Sequence, residues 1–357
     1  MCSVYIADVV TRLPKLYSTE ESADILYPPH VAGGKANRLA KRAANMIGIK
    51  WRPSILDGTC FPKRKIASPE YEPVNWCSSM VKALSESVGV ENIGYYGISY
   101  NISSDKNVLP SISARVASQT GLVLDEPPEE HPFYGCAGSI FSLKSAFNYC
   151  KNNPKLAISS TFDQCSWIVN IVHDMGQSDF KDHLKTSLLF SDGAAGLLLV
   201  PENLKMQFKQ PLIKIIDIAT YFTPGDTIRM ENGHLILAEN VKDTMPEIVA
   251  EKVVKPMLKK HNLTVDDIEE WPLHQGGIPI LNRFKEPEIL GLSEEKIARS
   301  KELFEKYGNF SAPSCLFVLN SFFKEDHSQK AGTKGMMISF GAGCYFGAML
   351  YEWVLND

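Results

Sequence analysis

Short apolar runs that read as buried strands alternate along this chain with stretches of helical apolar spacing, the order expected of an α/β fold with helices layered on sheets. Glu91 to Ser99, Lys155 to Ser160, Leu212 to Ile218 and the run from Gly335 towards Gly343 have the composition of strands. Cys77 to Val88, Pro110 to Gly121, Pro246 to His261 and Cys315 to Phe323 have helical spacing, and Gly121 is a natural helix stop. Leu188 to Val200 reads as two short strands around the small residues Ser191 to Gly196, Asp125 to His131 as a loop rich in proline and acid, the stretch through Glu231 to His234 as hairpin-like, and Thr264 to Ile268 as an N-capped helical turn. The 357 residues, 44% of them hydrophobic, have room for two core-bearing units, expected at residues 1–200 and 201–357. No internal repeat is visible, so a duplicated architecture rests on element order alone.

Charge and cysteine usage narrow the function. A net charge of -4 without long runs of one sign argues against nucleic acid as a partner. The start carries no basic leader before an apolar stretch, and nowhere do eighteen apolar residues run together, so a cytoplasmic chain with no membrane span is expected. Eight scattered cysteines, with neither a Cys-x-x-Cys pair nor paired histidines, predict no disulfides and no metal site.

Three loop tips hold reactive side chains. Cys136 follows Tyr134-Gly135 where a turn runs into a helix marked by Ile140, Leu143 and Phe147, and unpaired N–H groups at a helix start favour a thiolate. His274 ends the strand-like Trp271-Pro272-Leu273 and opens into Gln275-Gly276-Gly277, and Asn309 precedes Phe310-Ser311-Ala312 and the helix after it. Scaffolds place chemistry at such ends.

Together with Phe190-Ser191-Asp192-Gly193-Ala194 and the closing Ser339-Phe340-Gly341-Ala342-Gly343, these motifs resemble the condensing enzymes of the thiolase superfamily, most closely ketoacyl-ACP synthase III and the chalcone-synthase-like type III polyketide synthases. The resemblance spans nearly the whole chain in order. It implies a thiolase-like, five-layered αβαβα fold of two similar halves, the first carrying the nucleophile and the second His and Asn. It also implies a homodimer and a decarboxylative Claisen condensation in fatty-acid or polyketide-type secondary metabolism. Cys136 would carry the acyl primer, His274 and Asn309 would stabilise the enolate left by a malonyl thioester, and the Gly341 to Gly343 loop would serve the oxyanion. No resident cofactor is implied. The substrates would be thioesters of coenzyme A or of an acyl carrier protein.

The chain departs from ketoacyl-ACP synthase III after the histidine, where Gln275-Gly276-Gly277-Ile278-Pro279 resembles the chalcone-synthase type instead. Side chains that hold coenzyme A there are absent here, leaving Lys41, Arg42, Lys50 and Arg52 as candidates for its phosphates, against a solvated helix face as the alternative. Leu109 stands in the family element that reaches across the dimer to limit the partner's acyl pocket, and its size implies a primer longer than acetyl. Two other functions fit the same scaffold. One is acyl transfer or non-decarboxylative head-to-head condensation with Glu129 or Glu130 as base, and the other is a non-catalytic partner subunit.

Overall fold

The computed structural model describes residues 2–61, 63–107, 109–168, 171–231, 234–325 and 330–355. Its strands are β1 (Val4–Arg12), β2 (Lys15–Ser18), β3 (Trp51–Ser54), β4 (Ile93–Tyr100), β5 (Glu129–Pro132), β6 (Leu156–Asp163), β7 (Gly193–Pro201), β8 (Leu212–Phe222), β9 (Ile228–Glu231), β10 (His234–Leu237), β11 (Lys334–Gly341) and β12 (Tyr345–Val354). Eight of them form one mixed sheet in the order β11-β12-β8-β1-β7-β6-β4-β5. β1 joins its two halves, pairing antiparallel with β7 on one side and, through Val4 to Ile6, with β8 on the other.

Period-two alternation sorts the side chains of this sheet into layers. On β7, Leu197 and Leu199 enter a central core while Leu198 and Val200 enter an outer one. On β11 and β12, Met337, Met349 and Tyr351 face the central core, and Met336, Ile338, Ala348 and Leu350 face the opposite outer one. Burial on both faces explains why these strands read as continuous apolar runs. Helices Gly138–Asn152 and Ser314–Phe323 fill the central layer with Ile140, Leu143, Leu316 and Leu319. Pro73–Ser85 and Ile112–Thr120 cover the first half of the sheet, and the helical run Val241–Lys260 with Glu294–Tyr307 covers the second. Helices, one half of the sheet, the central helices, the other half of the sheet and helices follow in succession, the five-layered arrangement expected.

Two local expectations are corrected. Leu188 and Leu189 end a helix, Phe180–Leu189, and a single strand follows at Gly193, so the region holds one strand instead of two. Glu129 to Pro132 is not loop but a short edge strand, parallel to β4. Thr264 to Ile268 forms a turn, as read, closed by Asp267, whose carboxylate accepts from the Thr264 amide and hydroxyl at 2.7 Å each. The hairpin read near Glu231 is present as β9 and β10, with Asn232 and Gly233 outside the described residues. No helix among the described residues is long and apolar enough to cross a membrane.

Candidate active site

Cys136 lies in a tight turn, Gly135–Ala137, leading into the central helix Gly138–Asn152. Two loops from opposite ends of the chain press together there. A Cβ on Gly341 would overlap the Cys136 amide nitrogen and stand 2.8 Å from the Gly135 carbonyl carbon, and a Cβ on Gly135, whose φ is +56°, would meet Gly341 and Ala342 backbone. Only glycine permits that approach on either side. The Ser339 hydroxyl donates to the Cys136 carbonyl at 2.6 Å, and the Ser311 hydroxyl stands 3.6 Å from the Cys136 sulfur.

His274 is delivered by an extended segment running beside β11. Its amide donates to the Ile338 carbonyl at 2.9 Å, and the Ile338 amide donates to the Pro272 carbonyl at 3.0 Å. The ring meets Phe340 edge-on with 5.5 Å between centroids, and Nδ1 is buried without a partner among the described residues. Burial pushes the imidazolium form down to about 3, so the ring is neutral at ordinary pH. A neutral ring with Nε2 protonated offers one N–H as donor.

Asn309 bridges to the first half of the chain. Its amide donates to the Leu189 carbonyl at 3.2 Å and its carbonyl accepts from Ser191 at 2.8 Å. Its side-chain Oδ1 accepts from the Ser311 amide at 2.8 Å and the Ser314 hydroxyl at 3.2 Å. Those bonds fix the amide's orientation and leave Nδ2 as the donor.

The three side chains line one cavity of about 430 Å³. Its other walls are largely apolar: Phe133, Leu189 and Phe190, and Ile228, Met230, Leu235 and Leu237 from the β9–β10 hairpin. Ala342 and Gly343 line it too, while Gly341 sits behind them against Cys136.

Electrostatics differ from the expectation of a helix-activated thiolate. Burial, the largest influence, pushes the Cys136 thiol up to about 12, with buried Asp163 adding to the rise and the Ser311 hydroxyl opposing it. Burial thus favours the neutral thiol beside a neutral imidazole.

Other candidate residues stand apart from the cavity. Leu109 is 85% exposed, on a surface loop next to Val108, which lies outside the described residues. Lys41 and Arg42 belong to the helix Pro29–Ile47, where Lys41 pairs with Asp24 at 2.8 Å and Arg42 is exposed. Arg52 is corrected from a surface cation to an interior one. It is 3% exposed, its Nε donates to the Leu188 carbonyl at 2.8 Å, and burial lowers its pKa to about 10. Glu129 and Glu130 are taken up by hydroxyls, Glu129 by Tyr95 at 2.9 Å and Glu130 by Tyr100 at 2.8 Å, and neither lines the cavity. Ser311 and Ser339 lie inside motifs read from the sequence, but nothing in their spacing showed that their hydroxyls meet Cys136.

The chain is similar to known proteins over much of its length. The family described as 3-oxoacyl-[acyl-carrier-protein (ACP)] synthase III, C terminal, matches residues 258–353. The alpha-pyrone synthesis polyketide synthase-like Pks18 of Mycobacterium tuberculosis is 27% identical over 69% of this chain, which spans only 62% of that relative's length. A putative chalcone synthase of Bacillus subtilis is 26% identical over 78% of this chain and 76% of its own. Among solved structures, PKS-I of the brown alga Ectocarpus siliculosus superposes with a TM-score of 0.78 at 20% identity, covering 99% of both chains. The C-terminal type III polyketide synthase domain of Steely1 from Dictyostelium does so at 0.76 and 18%, covering 99% of this chain and all of the domain. The chain has the thiolase-like fold of these structures and is similar in sequence to that class of enzyme. Within that class it is similar to the type III polyketide synthases.

Proposed function

We propose that the protein is a β-ketoacyl-forming condensing enzyme that joins an acyl primer held on Cys136 to a malonyl thioester. The observation that carries this reading is the convergence of Cys136, His274 and Asn309 on one largely apolar cavity. In the first half-reaction the sulfur attacks the primer's thioester carbonyl. Its proton passes to the departing thiol, and the oxyanion faces the Cys136 amide and the Gly341 to Gly343 loop. In the second, the malonyl thioester loses CO2 and its enolate oxygen takes hydrogen bonds from His274 Nε2 and Asn309 Nδ2. The enolate carbon then attacks the acyl carbonyl and Cys136 leaves.

The cavity's volume and its apolar hairpin wall favour a primer of medium or greater length over acetyl. Coenzyme A or an acyl carrier protein could present either substrate, and loading from each separates the two. A homodimer in which Leu109 reaches the partner's cavity is part of the same proposal, tested by light scattering.

To test the reaction, the protein is incubated with octanoyl-CoA and malonyl-CoA, and with carrier-bound forms, while CO2 and the mass of acyl-Cys136 are followed. His274→Ala is expected to suppress CO2 release far more than acylation. Equal loss of both would contradict the assigned roles. Acylation of the wild type without malonyl consumption would mean acyl transfer, and neither would leave a non-catalytic partner.

A further inference from the structure

Asp163, at the end of β6, is fully buried beside the site, and its carboxylate accepts four hydrogen bonds. Oδ1 accepts from the Asn101 and Ile102 amides at 2.7 and 2.8 Å, and Oδ2 from Asn101 Nδ2 at 2.9 Å and the Ala312 amide at 3.0 Å. Four donors leave no position for a proton, which favours the ionised form although burial pushes the group's pKa up.

Those acceptors fix the orientation of Asn101. Its side-chain nitrogen faces Asp163 Oδ2 and the Gly135 carbonyl, at 3.0 Å, and since both only accept, nitrogen and not oxygen must stand there. The same nitrogen lies 3.3 Å from Ser311 Oγ. An amide nitrogen cannot accept the Ser311 proton, and its own two protons are shared among these three oxygens, so the Ser311 hydroxyl is turned away from Asn101 to donate to a different acceptor, and the Cys136 sulfur is the neighbour at 3.6 Å. Ser311 has a φ of +61°, unusual for a residue other than glycine, and its amide is tied to Asn309 Oδ1.

We propose that Ser311 is a catalytic residue that donates a hydrogen bond to the Cys136 sulfur whenever it becomes anionic, and that Asn101 and Asp163 are positioning residues that aim this donor. The inference rests on Cys136 as the acyl-accepting thiol. A thiolate accepts such a bond far better than a thioester sulfur, so the donor acts on the charged form, both when Cys136 attacks and when it departs.

The test uses alkylation of Cys136 by iodoacetamide, which needs no acyl donor, followed by mass spectrometry of the Cys136 peptide at fixed pH values from 7 to 10. Ser311→Gly removes the hydroxyl and accepts the positive φ without strain, so it should melt no lower than the wild type. Its Cys136 alkylation should be slower by about tenfold at each pH, the loss expected for one hydrogen bond to a charged group. Asn101→Ala keeps the hydroxyl but frees its proton, and a fall of roughly threefold is expected. Wild-type rates in Ser311→Gly would overturn the donor role, and wild-type rates in Asn101→Ala would overturn the aiming. A wild type that never condenses, with the Ser311→Gly slowing intact, would fault the proposed reaction and leave this inference standing.

Discussion

Gly341→Ala tests the loop contact behind the nucleophile. The added methyl would meet backbone only: it would overlap the Cys136 amide nitrogen and come to 2.8 Å from the Gly135 carbonyl carbon and 3.0 Å from Cys136 Cα. No side-chain rotation relieves this, so the two loops must part by more than about 1 Å to restore ordinary contact with the Cys136 amide. Overpacking of this kind costs about 1–3 kcal/mol of stability, a fall in Tm of roughly 2–4 °C per kcal/mol in a chain of some 200 residues and less in a longer one. The larger effect falls on chemistry. Loss of one pre-positioned oxyanion donor lowers a rate roughly a hundred- to a thousandfold, and the shift moves the Cys136 amide itself. Stopped loading reactions with octanoyl-CoA, read by intact mass, would give the acylation rate, and a melt in the same buffer would show that the variant is folded. A folded Gly341→Ala protein that acylates within a few fold of wild type would refute the claim that this glycine sets the oxyanion site.

Further outcomes follow from other contacts. Glu270 is buried and accepts from Tyr351 and Lys330 at 2.8 and 2.9 Å and from Trp353 at 2.9 Å, so Glu270→Ala, which removes a buried acceptor while Lys330 keeps Glu325 at 2.8 Å, should cost about 1–3 kcal/mol in urea unfolding. His274 binds a proton near 6.5 in the unfolded chain but only near 3 in the fold. Between those values the unfolded state takes up the proton, so stability falls as pH drops through that window, by at most about 5 kcal/mol, and His274→Gln should flatten the slope of urea midpoints between pH 7 and 4. A wild-type midpoint that does not move over that range would contradict the burial argument. Leu235→Trp fills part of the cavity wall and should shorten the longest acyl chain loaded on Cys136 while acetyl loading is retained, as mass spectrometry with a donor series would show.

The three reactive residues were legible because each sits at a glycine-marked loop tip in a recognisable motif, and the two-faced strands were legible because both faces are apolar. β5 was not, since Glu129-Glu130-His131 reads as solvated loop. Parallel pairing with β4 and the tyrosine hydroxyls of Tyr95 and Tyr100 make it a strand. Leu188 and Leu189 defeated periodicity because a short apolar run suits a helix end as well as a strand. The roles of Asn101, Asp163 and Ser311 had no signal at all: they lie 62 and 148 residues apart in the chain and meet only in the fold. Arg52 looked like a surface cation because charged side chains are mostly exposed, and nothing local shows that the fold covers this one.

Gly135 and Gly341 touch across more than two hundred residues of chain, and β1 pairs with β7 over a similar span, Val4 opposite Pro201. Contacts so remote cannot form until long stretches of chain have been closed into loops, which makes folding slow compared with a protein of local contacts. The nucleophile's surroundings are then among the last parts to become ordered. A refolding chain should regain helical signal well before Cys136 gains its native protection from thiol reagents, and competence for acyl transfer should arrive with that protection.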